Sequence, residues 1–440
     1  MPSDEVSRDT IAAVATPAGR GGIGVVRVSG PAVARISRKV LGKLPEARRA
    51  THAVFRDARG EAVDDGVALY FPAPHSYTGE AVLELQGHGG PVVMQALLAA
   101  CLDAGARLAE PGEFTRRAFL EGKLDLAQAE AVADLIDAAS REAARSALRS
   151  LSGEFSAAIG ALQAQLIELR ALTEAMLDFP EEEIDALHRE DAAARLSAVR
   201  RALEEVSAKS RQGSLLRSGI HVVLAGRPNV GKSSLLNRLA GEERAIVTPV
   251  AGTTRDALRE PIQIEDVPLV LVDTAGLRVS TDVVESLGIE RTQRELERAD
   301  VVIAIYEAGH GKDALDDLPA GVPRVEVYNK IDIAPGFSAP AGAVAVSAKT
   351  GEGLERLRTA ILEAAGWSST GEPVFLARER HLRALERARS HLEAAARESR
   401  RWEFFAEELR LAHGALGTIT GEFTAHDLLG EIFARFCIGK

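Results

Sequence analysis

The stretch Gly226–Ser234 limits what this chain can fold into more than any other, because it reads G-x-x-x-x-G-K-[ST]. A short apolar run, 220–225, precedes it, and residues 234–239 follow with helical spacing. In such a strand-to-helix loop the backbone N–H groups close around phosphate oxygens, Lys232 adds a positive charge, and the Ser233 hydroxyl can bind Mg²⁺. The stretch therefore predicts a nucleotide site.

Composition narrows the class of protein. Apolar residues make up 46% of the 440 residues and charged residues 27%, as in soluble globular proteins, and the length predicts about three domains. No apolar run approaches the roughly 18 residues that cross a bilayer, so we expect a cytoplasmic protein without membrane contact. Cys101 and Cys437 are the two cysteines, which excludes a disulfide framework and a Cys-rich zinc site. The net charge of −11 argues against a broadly basic nucleic-acid binder, although a partner can supply basic surface.

Changes in composition and hydrophobic periodicity along the chain predict a multidomain α/β protein. Short β-like runs alternate with two helical patterns up to about residue 121, and from Leu124 the sequence is rich in Ala, Leu, Glu and Arg. Apolar side chains stepping by three or four from Leu148 to Met176 predict one long helix, and Gly213 to Gly219 predicts a hinge. The predicted domains are an α+β domain (1–121), a helical domain in two parts (122–217 and 372–440), and an inserted nucleotide domain with a mostly parallel sheet and helices on both faces (218–371).

A second glycine-rich stretch, Gly19–Gly24, spells G-x-G-x-x-G. A strand-like run follows it, whereas the dinucleotide fingerprint requires a helix there. We therefore reject a Rossmann site and predict a turn.

Four further motifs follow the phosphate loop in order, each at the end of an apolar run. Thr254, about twenty residues on, is the expected switch ligand of Mg²⁺, and Asp273 with Gly276 forms D-x-x-G, which can hold the metal and the γ-phosphate. Asn329–Asp332 reads N-K-x-D, in which the Asp332 carboxylate can accept two hydrogen bonds from guanine but none from the same edge of adenine. Ser347 and Ala348 close the set near the base. The four motifs together predict guanine-nucleotide specificity.

The groups that promote hydrolysis are less clear from the motifs. Leu277 stands where many small GTPases carry a water-orienting Gln, so another residue must align the water. Arg278, Asp282, Glu285 and Glu290 are the nearby polar candidates, and Arg227, Arg255 and Arg278 are candidate arginine fingers. The side-chain oxygen of Asn229 is a further candidate, as part of an oxygen cage for a monovalent cation.

With these residues in place, the chain resembles the MnmE (TrmE) family of tRNA-modification GTPases over essentially its whole length. The marks that carry the resemblance lie outside the common GTPase motifs, at Thr16–Gly22, Ser76–Glu80, Gln86–Gly90, Glu110–Thr115, Lys123–Glu130 and Phe436–Lys440. Their Gly-rich turns are of the kind that let a ligand approach the backbone closely.

The resemblance implies a homodimer that works with the FAD-dependent protein MnmG (GidA) as a heterotetramer. Together they would add a carboxymethylaminomethyl or aminomethyl group at C5 of the wobble uridine of certain tRNAs. The N-terminal domain would mediate dimerisation and bind 5-formyl- or methylene-tetrahydrofolate, and the matching positions here are Arg27, Glu84, Lys123 and Lys440.

For the nucleotide domain the resemblance implies K⁺ held by Asn229, Thr248, Val250 and Thr253, G-domain dimerisation, and a water-positioning role for Glu285. Lys232 and Asp273 complete the expected catalytic set, and Ser233 with Thr254 the Mg²⁺ ligands. The residues expected to contact GTP are Asn229, Val230, Gly231, Lys232, Ser233, Ser234, Thr248, Pro249, Val250, Ala251, Gly252, Thr253, Thr254, Asp273, Thr274, Ala275, Gly276, Asn329, Lys330, Asp332, Ser347, Ala348 and Lys349.

Two other functions compete with a K⁺-stimulated GTPase coupled to tRNA modification. One is a regulatory GTPase in ribosome assembly, since related GTPases carry the same phosphate loop, but these usually append a basic RNA-binding module. The other is a folate-binding module whose GTPase domain is dispensable.

Overall fold

The computed structural model describes residues 9–178, 186–242, 259–273, 298–312, 321–368, 374–398, 401–422, 426–434, 436, 437 and 439. They belong to two compact units, one from residues 1–133 with 417–440 and the other from residues 134–416. Over the described ranges, no helix combines the length and the apolar character needed to cross a membrane.

The first unit contains a six-stranded sheet in the order β3-β4-β5-β2-β1-β6. Only the β1–β6 pair is parallel; the other neighbours are antiparallel. The strands are β1 (Ile11–Val14), β2 (Gly21–Ser29), β3 (Thr51–Arg56), β4 (Ala62–Phe71), β5 (Val82–Gly89) and β6 (Arg107–Leu108). Alternate residues of β2, such as Val26 and Val28, enter a core that helices cover on the same face.

The described helices are α1 (Val33–Leu41), α2 (Pro91–Asp103), α3 (Glu113–Leu120), α4 (Leu126–Ile136), α5 (Arg141–Leu151), α6 (Glu154–Asp178), α7 (Ala186–Ser218), α8 (Lys232–Glu242), α9 (Leu354–Ala364), α10 (Glu379–Arg397), α11 (Trp402–Thr420) and α12 (His426–Ala434). Their ends follow local rules. Helix α1 ends at Gly42 in the left-handed conformation, and α2 begins with Pro91, whose missing N–H costs nothing at a helix start.

The second unit contains another six-stranded sheet, in the order β12-β11-β10-β7-β9-β8, whose only antiparallel pair is β8 with β9. The strands are β7 (Ile220–Gly226), β8 (Arg259–Ile264), β9 (Val267–Asp273), β10 (Val301–Glu307), β11 (Arg324–Asn329) and β12 (Val344–Ala345). Strands β7 and β10 are apolar almost throughout, as parallel strands covered on both faces are. The α+β unit, the long helices and this mostly parallel sheet confirm the predicted fold class.

Two sequence-based predictions about the helices were wrong. The apolar pattern from Leu148 to Met176 is not one helix, because α5 ends at Leu151 and α6 begins at Glu154, with Gly153 between them at φ +92°. Leu148 is 56% exposed and so does not continue the buried face. The region from Gly213 is not a hinge either. Gly213 lies within α7, and a Cβ there would be 1.7 Å from the carbonyl oxygen of Phe375, so this glycine allows two segments to pack closely.

Candidate functional site

The phosphate loop connects the carboxyl end of β7 to the first turn of α8, at the middle of the second sheet. Asn229 and Gly231 both adopt positive φ, +68° and +94°, which turns the backbone around the loop. The Lys232 ammonium donates to the carbonyl oxygens of Gly226 and Arg227 at 2.8 and 2.9 Å. The lysine is therefore held at the loop, with the N-terminus of α8 behind it, an arrangement that suits an anion.

The Asn329 amide bridges the loops around this site. Its Nδ2 donates to the Val230 carbonyl at 2.9 Å, and its Oδ1 accepts from the Ala348 N–H at 3.0 Å. Asn329 is 1% exposed. A Cβ at Gly231 would lie 2.3 Å from Asn329 Nδ2, so the bridge requires glycine there. The structure thus brings together three of the predicted motifs.

Asp332 is exposed at the same edge of the sheet, in a short 3₁₀ helix, 331–333. The Ser347 hydroxyl donates to Asp332 Oδ1 at 2.7 Å, which orients the carboxylate. Lys330, with φ +67°, pairs with Glu307 at 2.8 Å. The hydrogen bond from Lys330 lowers the pKa of the Glu307 carboxyl. Lys349 is exposed beside Ala348.

Asp273 ends β9 and pairs in register with Leu224 of β7, so its backbone lies at the same edge as the phosphate loop. The Ser233 and Ser234 side chains are exposed in the first turn of α8. Several predicted residues lie outside the described part of the chain: Thr248, Pro249, Val250, Ala251, Gly252, Thr253, Thr254, Thr274, Ala275, Gly276, Glu285 and Lys440, together with Arg255, Leu277, Arg278, Asp282 and Glu290.

The first unit carries the other predicted site. Arg27 of β2 and Glu84 of β5 are cross-strand partners, and Arg27 Nε and the neighbouring guanidinium nitrogen lie 2.9 and 2.8 Å from one Glu84 oxygen. The guanidinium carbon is 5.4 Å from the ring centre of Tyr77 and 5.7 Å from that of Phe114. Burial raises the pKa of the Tyr77 phenol, whose oxygen is 2.8 Å from the Thr115 hydroxyl. A half-buried charge pair beside two aromatic rings can bind a flat polar ring.

Lys123 is exposed next to the turn that carries Tyr77. A Cβ built at Gly79 would be 3.5 Å from Lys123 Cε, so the two residues are close neighbours. The C-terminal segment lies against the same sheet, since a Cβ at Gly439 would be 2.4 Å from the Val14 carbonyl. Val14 follows Ala13, the residue of β1 that pairs with Arg27.

The same unit contains an ion cluster with a buried centre that sequence reasoning did not find. Arg117, whose side chain is 5% exposed, pairs with Asp9, Glu80 and Glu113 at 2.8 to 3.0 Å. Arg107 also pairs with Asp9 and Glu113. The signal in the sequence was a charged pair, Glu113 and Arg117, spaced i, i+4 on the predominantly buried helix α3.

The cluster changes the titration of its members. Burial raises the pKa of the Glu113 carboxyl, but hydrogen bonds from Arg107, from the Glu110 N–H and from Arg117 outweigh it and leave the pKa lowered. The hydrogen bond to Glu113 raises the pKa of Arg107. Since Glu80 and Glu113 belong to the stretches Ser76–Glu80 and Glu110–Thr115, these motifs hold the fold of the unit together.

The stretch Gln86–Gly90 has a comparable internal role. His88 lies 2.8 Å through Nδ1 from Asp64 of β4, and its N–H donates to the same carboxylate. A Cβ at Gly87 would be 2.3 Å from that carboxylate, which explains the small residue. The hydrogen bond to Asp64 raises the pKa of His88.

Comparison with known proteins gives full-length relatives. Residues 126–437 match the family described as MnmE helical domain, and residues 10–123 match the family described as GTP-binding protein TrmE N-terminus. The chain is 61% identical over 443 residues to the tRNA modification GTPase MnmE of Azoarcus sp. (strain BH72), with 98% of each protein covered. It is 60% identical over 438 residues to the protein of that name from Thiobacillus denitrificans (strain ATCC 25259 / T1), again with 98% of each covered. Among solved structures, Aquifex aeolicus Era bound to GDP.AlF4- is 28% identical over 39% of this chain and 65% of that one, with a TM-score of 0.26.

Proposed function

The chain belongs to the MnmE family of tRNA modification GTPases, and from that premise we propose that GTP hydrolysis in its nucleotide domain drives modification of the wobble uridine of certain tRNAs. The observation that supports this best is the Asn329 bridge. It places the phosphate loop beside the N-K-x-D loop, whose Asp332 is oriented by Ser347. The groups that would contact the phosphates and the base of a guanine nucleotide therefore lie on one edge of the sheet.

In this proposal the chain's own residues hold the nucleotide in two places. Lys232 exchanges its loop carbonyl partners for phosphate oxygens, and the N–H groups at the start of α8 donate to the remaining phosphate oxygens. The Asp332 carboxylate accepts from the guanine N1–H and N2–H₂. An adenine nucleotide leaves that carboxylate unpaired, which costs affinity by orders of magnitude.

The residues also fit the two proposed cations. Ser233 is exposed in the first helical turn, where its hydroxyl can join Thr254 as a ligand of Mg²⁺, which neutralises phosphate charge. Asn229 adopts positive φ in the loop, and its side-chain oxygen, with groups of Thr248, Val250 and Thr253, suits K⁺. Glu285 is proposed to orient the attacking water, and Asp273 to support the metal site.

The modification itself is assigned to the first unit. Arg27 and Glu84 offer a donor set and an acceptor beside the Tyr77 ring, which suits the polar edge of a folate pterin, while Lys123 and Lys440 suit its glutamate tail. Paired chains, joined through this unit, are proposed to work in the cytoplasm with the flavoprotein MnmG, and both proteins contact tRNA. GTP-dependent pairing of the nucleotide domains then signals to the folate site.

The deciding experiment is mass spectrometry of wobble-uridine nucleosides from cells with and without this protein. We expect the C5-modified nucleosides to be absent from the deletion strain and restored by the wild-type gene but not by Glu285→Ala. Normal nucleosides in the deletion strain would falsify the proposal and favour a role in ribosome assembly. Purified protein should also hydrolyse GTP faster in K⁺ than in Na⁺.

A further inference from the structure

A groove runs along the seam between α7 and α10, away from the residues assigned above. It consists of two depressions of about 680 and about 370 Å³. Residues 197–204 of α7 line the smaller depression and residues 207–211 the larger one, and the order is reversed in α10. The two helices therefore run antiparallel, and the depressions follow one another along their seam. The α7 rim from Arg200 to Arg211 spans about 16 Å at the rise of an α-helix.

The groove is positively charged although the chain as a whole carries −11. Six arginines and three glutamates line it, and every basic side chain in the lining is an arginine. The arginines are Arg200, Arg201, Arg211, Arg383, Arg387 and Arg389. All six are exposed.

These arginines differ in how far the protein neutralises them. Arg211 pairs with Glu204 at 2.5 Å and Arg389 with Glu386 at 2.6 Å. Within the described ranges Arg200 and Arg201 have no carboxylate partner within 4.0 Å, and Arg387 donates only to a backbone carbonyl, at 3.4 Å. Three guanidinium groups thus remain available to an external anion, and guanidinium binds phosphate oxygens in bidentate geometry.

The floor of the groove narrows the choice of partner. Leu203 and Leu385 are 2% and 1% exposed, and Leu382 is half-buried, so the exposed rim consists mainly of arginine and glutamate side chains and offers the helix of another protein few apolar residues. A polyanion needs no such surface, because release of its counterions provides most of the affinity.

We propose that this groove binds the phosphodiester backbone of the tRNA substrate, with Arg200, Arg201 and Arg387 as the main phosphate contacts. The inference rests on the proposed function, which makes tRNA the substrate. It adds a location, on the helical part of the chain, for RNA contacts that the acidic composition would not predict.

The test compares two triple variants of the full-length protein that lose the same charge. The groove variant is Arg200→Gln, Arg201→Gln, Arg387→Gln. The control variant, Arg145→Gln, Arg195→Gln, Arg356→Gln, changes exposed arginines that do not line the groove. Binding to a fluorescent transcript of a tRNA with a wobble uridine is measured by anisotropy over a series of KCl concentrations, with and without the flavoprotein, and GTP hydrolysis reports that each variant is folded.

We expect the groove variant to bind the transcript at least tenfold more weakly than the control variant. Its plot of log affinity against log salt should be less steep by roughly two to three units, since each lost phosphate contact removes about 0.7 to 0.9. Equal affinities and slopes for the two variants overturn the inference, as does a wild-type protein that binds no transcript in either condition. A groove variant that binds the transcript normally but no longer binds the flavoprotein also overturns the inference. That result would assign the groove to contact with an acidic protein surface.

Failure of the groove assignment can be distinguished from failure of the proposed function. If the wobble nucleosides depend on the protein while the groove variant binds RNA normally, only the groove assignment fails. If the nucleosides do not depend on the protein, the proposed function itself fails.

Discussion

Asn329 donates its side-chain amide to the carbonyl oxygen of Val230 at 2.9 Å, and this single hydrogen bond joins the base-side loop to the phosphate loop. The same buried amide accepts from the Ala348 N–H. One side chain therefore sets the relative position of three loops before a nucleotide binds. Such preorganisation reduces the ordering that binding must otherwise produce.

Replacing Asn329 by alanine should damage both stability and binding. The Val230 carbonyl and the Ala348 N–H lose their shared partner, and we expect a loss of about 1 to 3 kcal/mol in the free energy of unfolding. GDP affinity, measured with a fluorescent analogue, should fall at least tenfold. Asn237→Ala, an exposed change on α8, is the matched control and should alter neither value; equal effects from both variants contradict the bridging role.

Gly231→Ala should weaken nucleotide binding more than a helical glycine replacement does. The new Cβ would be 2.3 Å from Asn329 Nδ2, at a φ of +94° that residues with a side chain rarely adopt. Gly241→Ala in α8, the helix that follows the loop, meets no atom within 4 Å and should be neutral or stabilising by about 0.4 to 1 kcal/mol. Thermal unfolding of both variants, with and without GDP, measures the contrast. A Gly231→Ala protein that GDP stabilises like the wild type would show that the loop tolerates the methyl group.

Asp332→Asn should change base specificity and leave phosphate binding intact. The asparagine presents one acceptor and one donor, which no longer matches the two donors of guanine but matches N1–H and the C2 carbonyl of xanthine. We expect GDP affinity to drop by at least 100-fold and xanthosine diphosphate affinity to rise. Competition binding with the two diphosphates measures the exchange. Loss of affinity for both bases would mean that Asp332 supports the loop and does not read the base.

The buried ion cluster predicts acid sensitivity of the first unit. Because the folded-state pKa of Glu113 is lowered, its contribution to stability is present above the unfolded-state value and is lost as pH falls through the folded-state value. Glu113→Gln should cost about 3 to 5 kcal/mol at pH 7, since Arg107 and Arg117 lose a buried partner. Its stability should then depend less on pH in the acid range.

Urea unfolding at pH 7 and at pH 4 measures this difference. Glu110→Gln is the control, because that side chain is 68% exposed and its nearest arginine is 3.8 Å away. It should change stability by less than about 0.5 kcal/mol at either pH. Parallel pH curves for the wild type and Glu113→Gln would show that the cluster does not control the acid response.

Arg27→Gln tests the proposed folate site. The substitution removes the charge that faces the Tyr77 and Phe114 rings and leaves Glu84 without its cross-strand partner. We expect at least tenfold weaker binding of 5-formyltetrahydrofolate by calorimetry, while far-UV circular dichroism remains that of the wild type. Arg59→Gln, in an exposed turn of the same unit, should bind as the wild type does. Unchanged affinity in Arg27→Gln would remove this residue from the site.

Local motifs made the nucleotide domain predictable. The phosphate loop, the strand before it and the helix after it are consecutive in the sequence. The loop motif with Gly231 and Lys232 could therefore be interpreted together with the apolar periodicity on either side of it. The Asn329 bridge was not predicted as a contact, because its partner Val230 is distant along the chain and the bond uses a backbone carbonyl.

The ion cluster could be predicted only for its local pair, Glu113 and Arg117, for a related reason. Asp9, Glu80 and Arg117 come from three separated segments, and each is polar, so no apolar pattern indicates that they meet or that Arg117 is buried. The two helix errors arose because an apolar stripe does not reveal a break at Gly153, and because Gly213 serves close packing where composition indicated flexibility. The role of Gly213 is clear only once its spatial neighbour, Phe375, is known.

The closing of the C-terminal segment onto the first sheet has a consequence for biosynthesis. The Gly112 N–H donates to the Cys437 carbonyl oxygen at 3.4 Å. Phe433 and Phe436 pack with Leu126 of α4 in one hydrophobic core. The first strands leave the ribosome while these partners are still untranslated. The core of the first unit therefore stays incomplete, with apolar surface exposed, until the helical and nucleotide segments and the C-terminal segment have been synthesised. A chain interrupted before residue 417 should therefore be recognised by chaperones and proteases even when its nucleotide domain has already folded.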